Sequence, residues 1–141
     1  MKVHAFKLKK GYDLKKCLEA FSDNNNIKAS VVLSCVGSLK KANIRLADQS
    51  KDAITTQPMY ILGLNGTLGN GKCHFHIRLS NKDGNVIGGH LNDGCIINDS
   101  CEIVILEFYE LDFDREFDDE TGQDEFIIRT LFKQGAKQED N

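Results

Sequence analysis

Between residues 58 and 91 the chain alternates apolar and polar residues, and glycine-bearing turns interrupt the alternation twice: PMYILGLNGTLG and GKCHFHIRLS join through GNG, and KDG leads into VIGGHL. A period of two puts one side of each segment into a core and the other into water, which is a strand pattern and not a helical one. The second turn also sets how its two strands meet. In a three-residue KDG loop, Lys82 and Asp83 form a type I turn and Gly84 supplies the left-handed residue. Asn81 then faces Asn85, Leu79 faces Ile87, His76 faces His90 and Phe75 faces Leu91. One face of the hairpin carries Phe75, Ile77, Leu79, Ile87 and Leu91; the other carries His74, His76, Arg78, Gly88, His90 and Asn92. A two-residue DG loop would slip the register by one and mix apolar with polar side chains, which a half-buried hairpin resists.

The rest of the chain fits around this sheet. VHAFKLK alternates Val3, Ala5 and Leu8 with polar neighbours and reads as a partly exposed strand. Gly11 breaks it, Asp13 is placed to cap a helix, and Leu14, Cys17, Leu18 and Phe21 recur at helical spacing. IKASVVLSCVG reads as a buried strand ending at Gly37, KANIRLAD as a further short strand, and CEIVILEFYEL as the longest apolar strand. One early helix and at least six strands predict an α+β class with a largely antiparallel, curled sheet. At 141 residues, 40% of them hydrophobic, the chain suits one domain, residues 1–130, followed by a polar tail, residues 131–141. No apolar run approaches the length of a signal peptide or a membrane span, so an intracellular, cytoplasmic protein is expected. The five cysteines are scattered and never form C-x-x-C, which indicates reduced thiols and neither a disulfide framework nor a zinc knuckle.

The net charge of -3 conceals an asymmetry. Residues 1–45 carry ten Lys or Arg against three acids, whereas residues 112–125 carry eight acids against one Arg. The basic part would attract phosphate backbones and the acidic part would repel them, so charge alone is a weak argument for nucleic acid. GTLGNGKC, residues 66–73, approaches a phosphate-binding loop but ends in Cys73 where a Mg²⁺-holding hydroxyl is needed, and it runs into a strand instead of a helix. Gly69 and Gly71 are read instead as hairpin-turn glycines. The acidic run DFDREFDDETGQDE lacks the glycine that a calcium-binding EF-hand loop needs at its sixth position.

The predicted register brings three of the four histidines onto one face: His74, His76 and His90, with His4 elsewhere. Cross-strand partners have Cβ atoms ~5 Å apart, so two imidazoles can reach one ion, and three neutral imidazoles match the protein part of an open zinc site. These three are the candidate metal ligands, with Zn²⁺ or another divalent metal as cofactor. Glu102, at the start of the last long strand, is a candidate fourth ligand or general base, and Arg45 or Arg78 a candidate clamp for an anionic substrate.

VGSLKKANIRLAD, LNGTLG, HFHIRLSNKDGNVIGGHLNDGCII and FDDETGQDEFII resemble, in that order, the signatures of the plants and prokaryotes conserved domain family, from about residue 3 to residue 129. The resemblance implies a seven-stranded α+β fold, a homotrimer, and a divalent metal on His74, His76 and His90, with Glu102 matching the acidic residue that follows the glycine-rich hairpin. Plant relatives join this domain to minor-groove-binding AT-hooks, which this chain lacks, so DNA binding would be an analogy from fold. A more distant similarity to the acetolactate decarboxylase group implies metal-assisted chemistry on a small molecule. Tyr60 departs from the family, which commonly has Glu there. The leading expectation is a metal-binding homotrimer acting on a small-molecule ligand, with a DNA-binding regulatory module and a structural trimer as alternatives; the reaction is left open.

Overall fold

The computed structural model describes residues 1–48 and 50–131; apart from Leu131, the expected polar tail lies outside the described residues. The elements in chain order are β1 (Lys2–Lys9), α1 (Leu14–Asn24), β2 (Ser30–Arg45), β3 (Asp52–Thr55), β4 (Met59–Gly69), β5 (Lys72–Ser80), β6 (Val86–Leu91), β7 (Ile96–Glu107), β8 (Leu111–Asp118) and β9 (Gln123–Thr130). Strands β1 to β7 form one sheet in the order β1-β7-β2-β4-β5-β6, with β3 also on β2, while β8 and β9 form a separate hairpin. The pairings are antiparallel. The end of β2 also pairs with β6, Ile44 opposite Leu91 and Arg45 opposite His90, so the last strand of the sheet returns to the central one. That contact is the predicted curl.

The helix forms where its signals stand. Asp13 is the N-cap and its Oδ1 accepts from the Lys16 amide at 3.1 Å. Leu14, Leu18 and Ser22, one turn apart, are its buried stripe. The buried Ser22 hydroxyl donates to the Ile27 carbonyl and accepts from the Gly71 amide, which ties the helix end to the β4–β5 turn. In that turn Asn70 and Gly71 take positive φ, 54° and 72°, so the left-handed pair is Asn70-Gly71 and not Gly69 with Gly71. Gly69 is needed for a different reason: a Cβ there would strike the Lys28 carbonyl.

Expectations for β2 and β1 are corrected as well. β2 does not end at Gly37 but runs on as one sixteen-residue strand. Gly37 is where β7 comes closest, since a Cβ at this position would meet the Ser100 carbonyl and the Cys101 backbone. In β1 the half-buried side chains are His4, Phe6 and Leu8, while Val3 and Ala5 face outward. His4 is accommodated because its Nε2 lies 2.8 Å from Glu107 Oε1 and its ring meets the edge of Phe21, which in turn stacks on Phe6 at 4.4 Å.

The core lies inside the curl. Leu14 and Leu18 of the helix pack with Leu39, Ile44, Leu68, Phe75, Ile77, Leu79, Leu91 and Ile97 of the sheet. Each such fully buried side chain contributes roughly 1.5–3 kcal/mol by removing apolar surface from water. Cys35 and Cys101 add a thiol contact at 3.4 Å, and all five cysteines are reduced. Among the described residues, no helix is long and apolar enough to cross a membrane.

Candidate metal centre

The hairpin that carries the histidines folds in the predicted register. Leu79 pairs with Ile87, Arg78 with Gly88, Ile77 with Gly89 and His76 with His90. The KDG loop is closed by Gly84 N donating to the Asn81 carbonyl and Asn81 N donating to the Asn85 carbonyl, both at 3.0 Å. Asn81 Oδ1 also accepts from the amides of Asp83 and Asn85, and Gly84 takes φ +80°. Phe75, Ile77, Leu79 and Leu91 are buried on the inner side. The period of the strand therefore sends His74 and His76 outward together, and the pairing with β6 brings His90 alongside them.

The three imidazoles converge. Each offers one nitrogen, and these nitrogens lie within 4.8 Å of one another. Ring centroids are 5.0 Å apart for His74 and His76, 5.1 Å for His74 and His90, and 6.0 Å for His76 and His90. Nitrogens sharing a tetrahedral zinc ion stand roughly 3.3 Å apart, so small side-chain rotations suffice to bring all three onto one ion. His90 Nδ1 is buried and has no hydrogen-bond partner among the described residues, a lone pair that a bound cation would satisfy. Burial, then the Arg45 charge and the other two rings, push the His90 pKa down to about 4; burial and Arg115 lower that of His74. At neutral pH both are uncharged and present lone pairs. The donor set fits a borderline-soft divalent ion such as zinc.

The remaining candidates are distributed unequally. Arg45 is the cross-strand partner of His90 and lines the same cleft. Arg78 stands two residues beyond His76, where its Nη1 donates to Asn65 Oδ1 at 2.7 Å and its guanidinium lies against Gly63. Glu102 is exposed on β7, paired with Lys7 of β1 and Val36 of β2. With β2 and β4 between its strand and β5, it is not among the groups whose ligand atoms converge. Within one chain it does not join the histidines.

An open cleft of about 610 Å³ adjoins the cluster, and the β8–β9 hairpin forms part of its wall through Arg115, Phe117, Gln123 and Asp124. Lys15 and Glu19 of α1 line it as well. Cys73 also borders it, but burial and then Glu19 push its thiol up to about 12, which leaves it a neutral thiol and not a thiolate ligand. Sequence reasoning missed Arg115 because it weighed the acidic run for net charge and calcium ligation and did not read its strand alternation. The alternation of Leu111, Phe113, Arg115 and Phe117, followed by Gly122, was the available signal for a hairpin.

A sheet curled on itself, one capping helix and a histidine triad on a glycine-rich hairpin define the class. The chain belongs to the Plants and Prokaryotes Conserved (PCC) domain family, whose model matches residues 1–109. The bifunctional protein GlmU of Synechococcus sp. strain JA-3-3Ab is 39% identical over 131 residues, 93% of this chain; the chain spans only 21% of that relative's length. Among solved structures, a hypothetical protein from Salmonella enterica is 31% identical with a TM-score of 0.88, covering 93% of this chain and 95% of the other. A metal-containing protein of Archaeoglobus fulgidus is 29% identical with a TM-score of 0.73, covering 90% and 94%.

Proposed function

We propose that this PCC-domain chain is a divalent-metal protein whose histidines 74, 76 and 90 hold zinc at an open site facing a small-molecule cleft. The observation that carries the reading is the convergence of three ring nitrogens within 4.8 Å on one rigid hairpin. A metal content in the Archaeoglobus fulgidus relative supports it. Zinc held by His74, His76 and His90 would supply Lewis-acid chemistry toward an oxygen of the substrate. Around it, Arg45, which lines the cleft, would orient an anionic substrate, and His74 and His90, neutral at pH 7, keep their nitrogens for coordination instead of proton transfer.

The same reading includes a homotrimer. Leu33 and Val36 of β2 and Tyr60 and Leu62 of β4 are exposed apolar side chains on neighbouring strands, a surface that assembly would cover. Tyr60, where the family commonly has Glu, adds to this surface. Glu102 projects near Val36, so it serves as a general base only if assembly carries it to another chain's histidines.

Elemental analysis of the purified chain tests the metal. About one zinc per chain is expected, falling to background in His76→Ala, whose fold is preserved because residue 76 is exposed. Equal, negligible metal in both proteins defeats the reading.

A second reading, duplex DNA as partner, rests on the exposed Lys7 and Lys9 of β1 and the basic balance of residues 1–45. If it holds, affinity falls steeply with added salt as phosphate contacts release counterions. Absence of binding at low ionic strength removes it.

A further inference from the structure

We infer that the cleft beside the histidines takes a small multivalent oxyanion, a di- or tricarboxylate or a phosphate ester, gripped from opposite flanks by Arg45 and Arg115. This deepens the metal reading given above by naming its ligand class. Register sets both arginines. Arg45 lies directly opposite His90 in the β2–β6 pair. On the other flank, Arg115 Nη2 reaches Thr67 Oγ1 at 3.5 Å, and Thr67 is the cross-strand partner of His74. The histidine cluster is thus bracketed by two guanidinium groups.

The lysines of the cleft are already paired. Lys72 is paired with Asp114 at 2.6 Å, and Lys15 with Glu19 at 3.6 Å and Asp93 at 3.9 Å. Among the described residues, Arg45 and Arg115 have no carboxylate partner within ion-pair distance. Asp124, a further carboxylate of the wall, is opposite Phe117, two positions nearer the hairpin tip than Arg115. Arg115 also lies 4.7 Å over the ring of Phe126, which orients its plane. An oriented guanidinium fork without a carboxylate is suited to bidentate recognition of carboxylate or phosphate. A cleft of about 610 Å³ has room for a metabolite-sized ligand. Arg115 comes from β8, outside residues 1–109 that the family model matches.

Calorimetric titration of the full chain with oxalate and with inorganic phosphate, each with and without one equivalent of zinc, tests the inference. Saturable binding is expected, weakened about tenfold or more in Arg45→Gln and in Arg115→Gln, because each removes charge-assisted hydrogen bonds. Arg115→Lys keeps the charge but loses the fork and should fall between. Lys82→Gln, in the distant turn, should match the wild type. No saturable binding of either anion, or equal affinity in the wild type and all arginine variants, overturns the proposal. Should Arg115→Gln fail to fold, Arg115→Lys and Arg45→Gln decide the matter by the same criterion. Zinc stoichiometry, measured separately, reports on the metal reading: arginine-dependent anion binding by a chain that takes up no zinc would defeat that reading and leave the clamp standing.

Discussion

Gly66→Ala is expected to cost about 3 kcal/mol or more of stability and to lower the melting temperature by roughly 10 °C or more. Gly66 has φ +150°, a conformation L-residues rarely adopt, and it pairs with Phe75 on β5. A Cβ at this position would collide with the carbonyl of His74 and lie 2.7 Å from Cδ1 of Phe75. The carbonyl is backbone of β5, paired here with β4, so it cannot move aside without breaking the β4–β5 ladder that carries the histidines. Thermal unfolding followed by circular dichroism reads this directly. A contrast is built into the molecule: at Gly84 an added Cβ meets nothing within 4 Å, and the strain comes from its φ alone. A Gly66→Ala protein with wild-type melting would show that β4 and β5 are not in the described register.

The second large effect concerns the other side of the same strand. Phe75 is 1% exposed and sits between His74 and His76, pointing into the core where they point out. Phe75→Ala removes a whole aromatic side chain from a packed interior and should cost about 3–5 kcal/mol. Urea unfolding should show the midpoint falling with little change in slope, since the surface exposed on unfolding is nearly the same. A loss under about 1 kcal/mol would mean that the inner face is loosely packed there.

How much of this was readable in the sequence depended on how local the determining interactions are. The histidine hairpin was, because its turn chemistry and its alternation agree: Gly84 takes the left-handed conformation, Asn81 caps the loop, and only one register keeps Phe75, Ile77 and Leu79 on one side. The helix start was, because Asp13 and the Leu14–Leu18 spacing act within a single turn. The course of β2 was not. Gly37 reads as a terminator locally, but its role is set by Ser100 and Cys101, more than sixty residues away in the chain. The orientation of β1 was misread because His4 counts as polar until its partner Glu107 is known. The candidate site was half readable for the same reason. Its histidines lie within one hairpin, whereas the approach of Arg45 to His90 and of Arg115 to Thr67 depends on sheet closure and on the docking of β8.

That compactness of the histidine set has a thermodynamic consequence. His74 and His90 are separated by a single tight turn, so bringing them together in an unfolded chain closes only a short loop, at a small entropic penalty. If the triad holds zinc as proposed, a denatured molecule should keep some affinity for the ion, and saturation with zinc is expected to raise the melting point by less than the native affinity alone would give. Ligand sets assembled from distant segments stabilise their folds strongly; this one is nearly portable and leaves most of that task to the apolar interior.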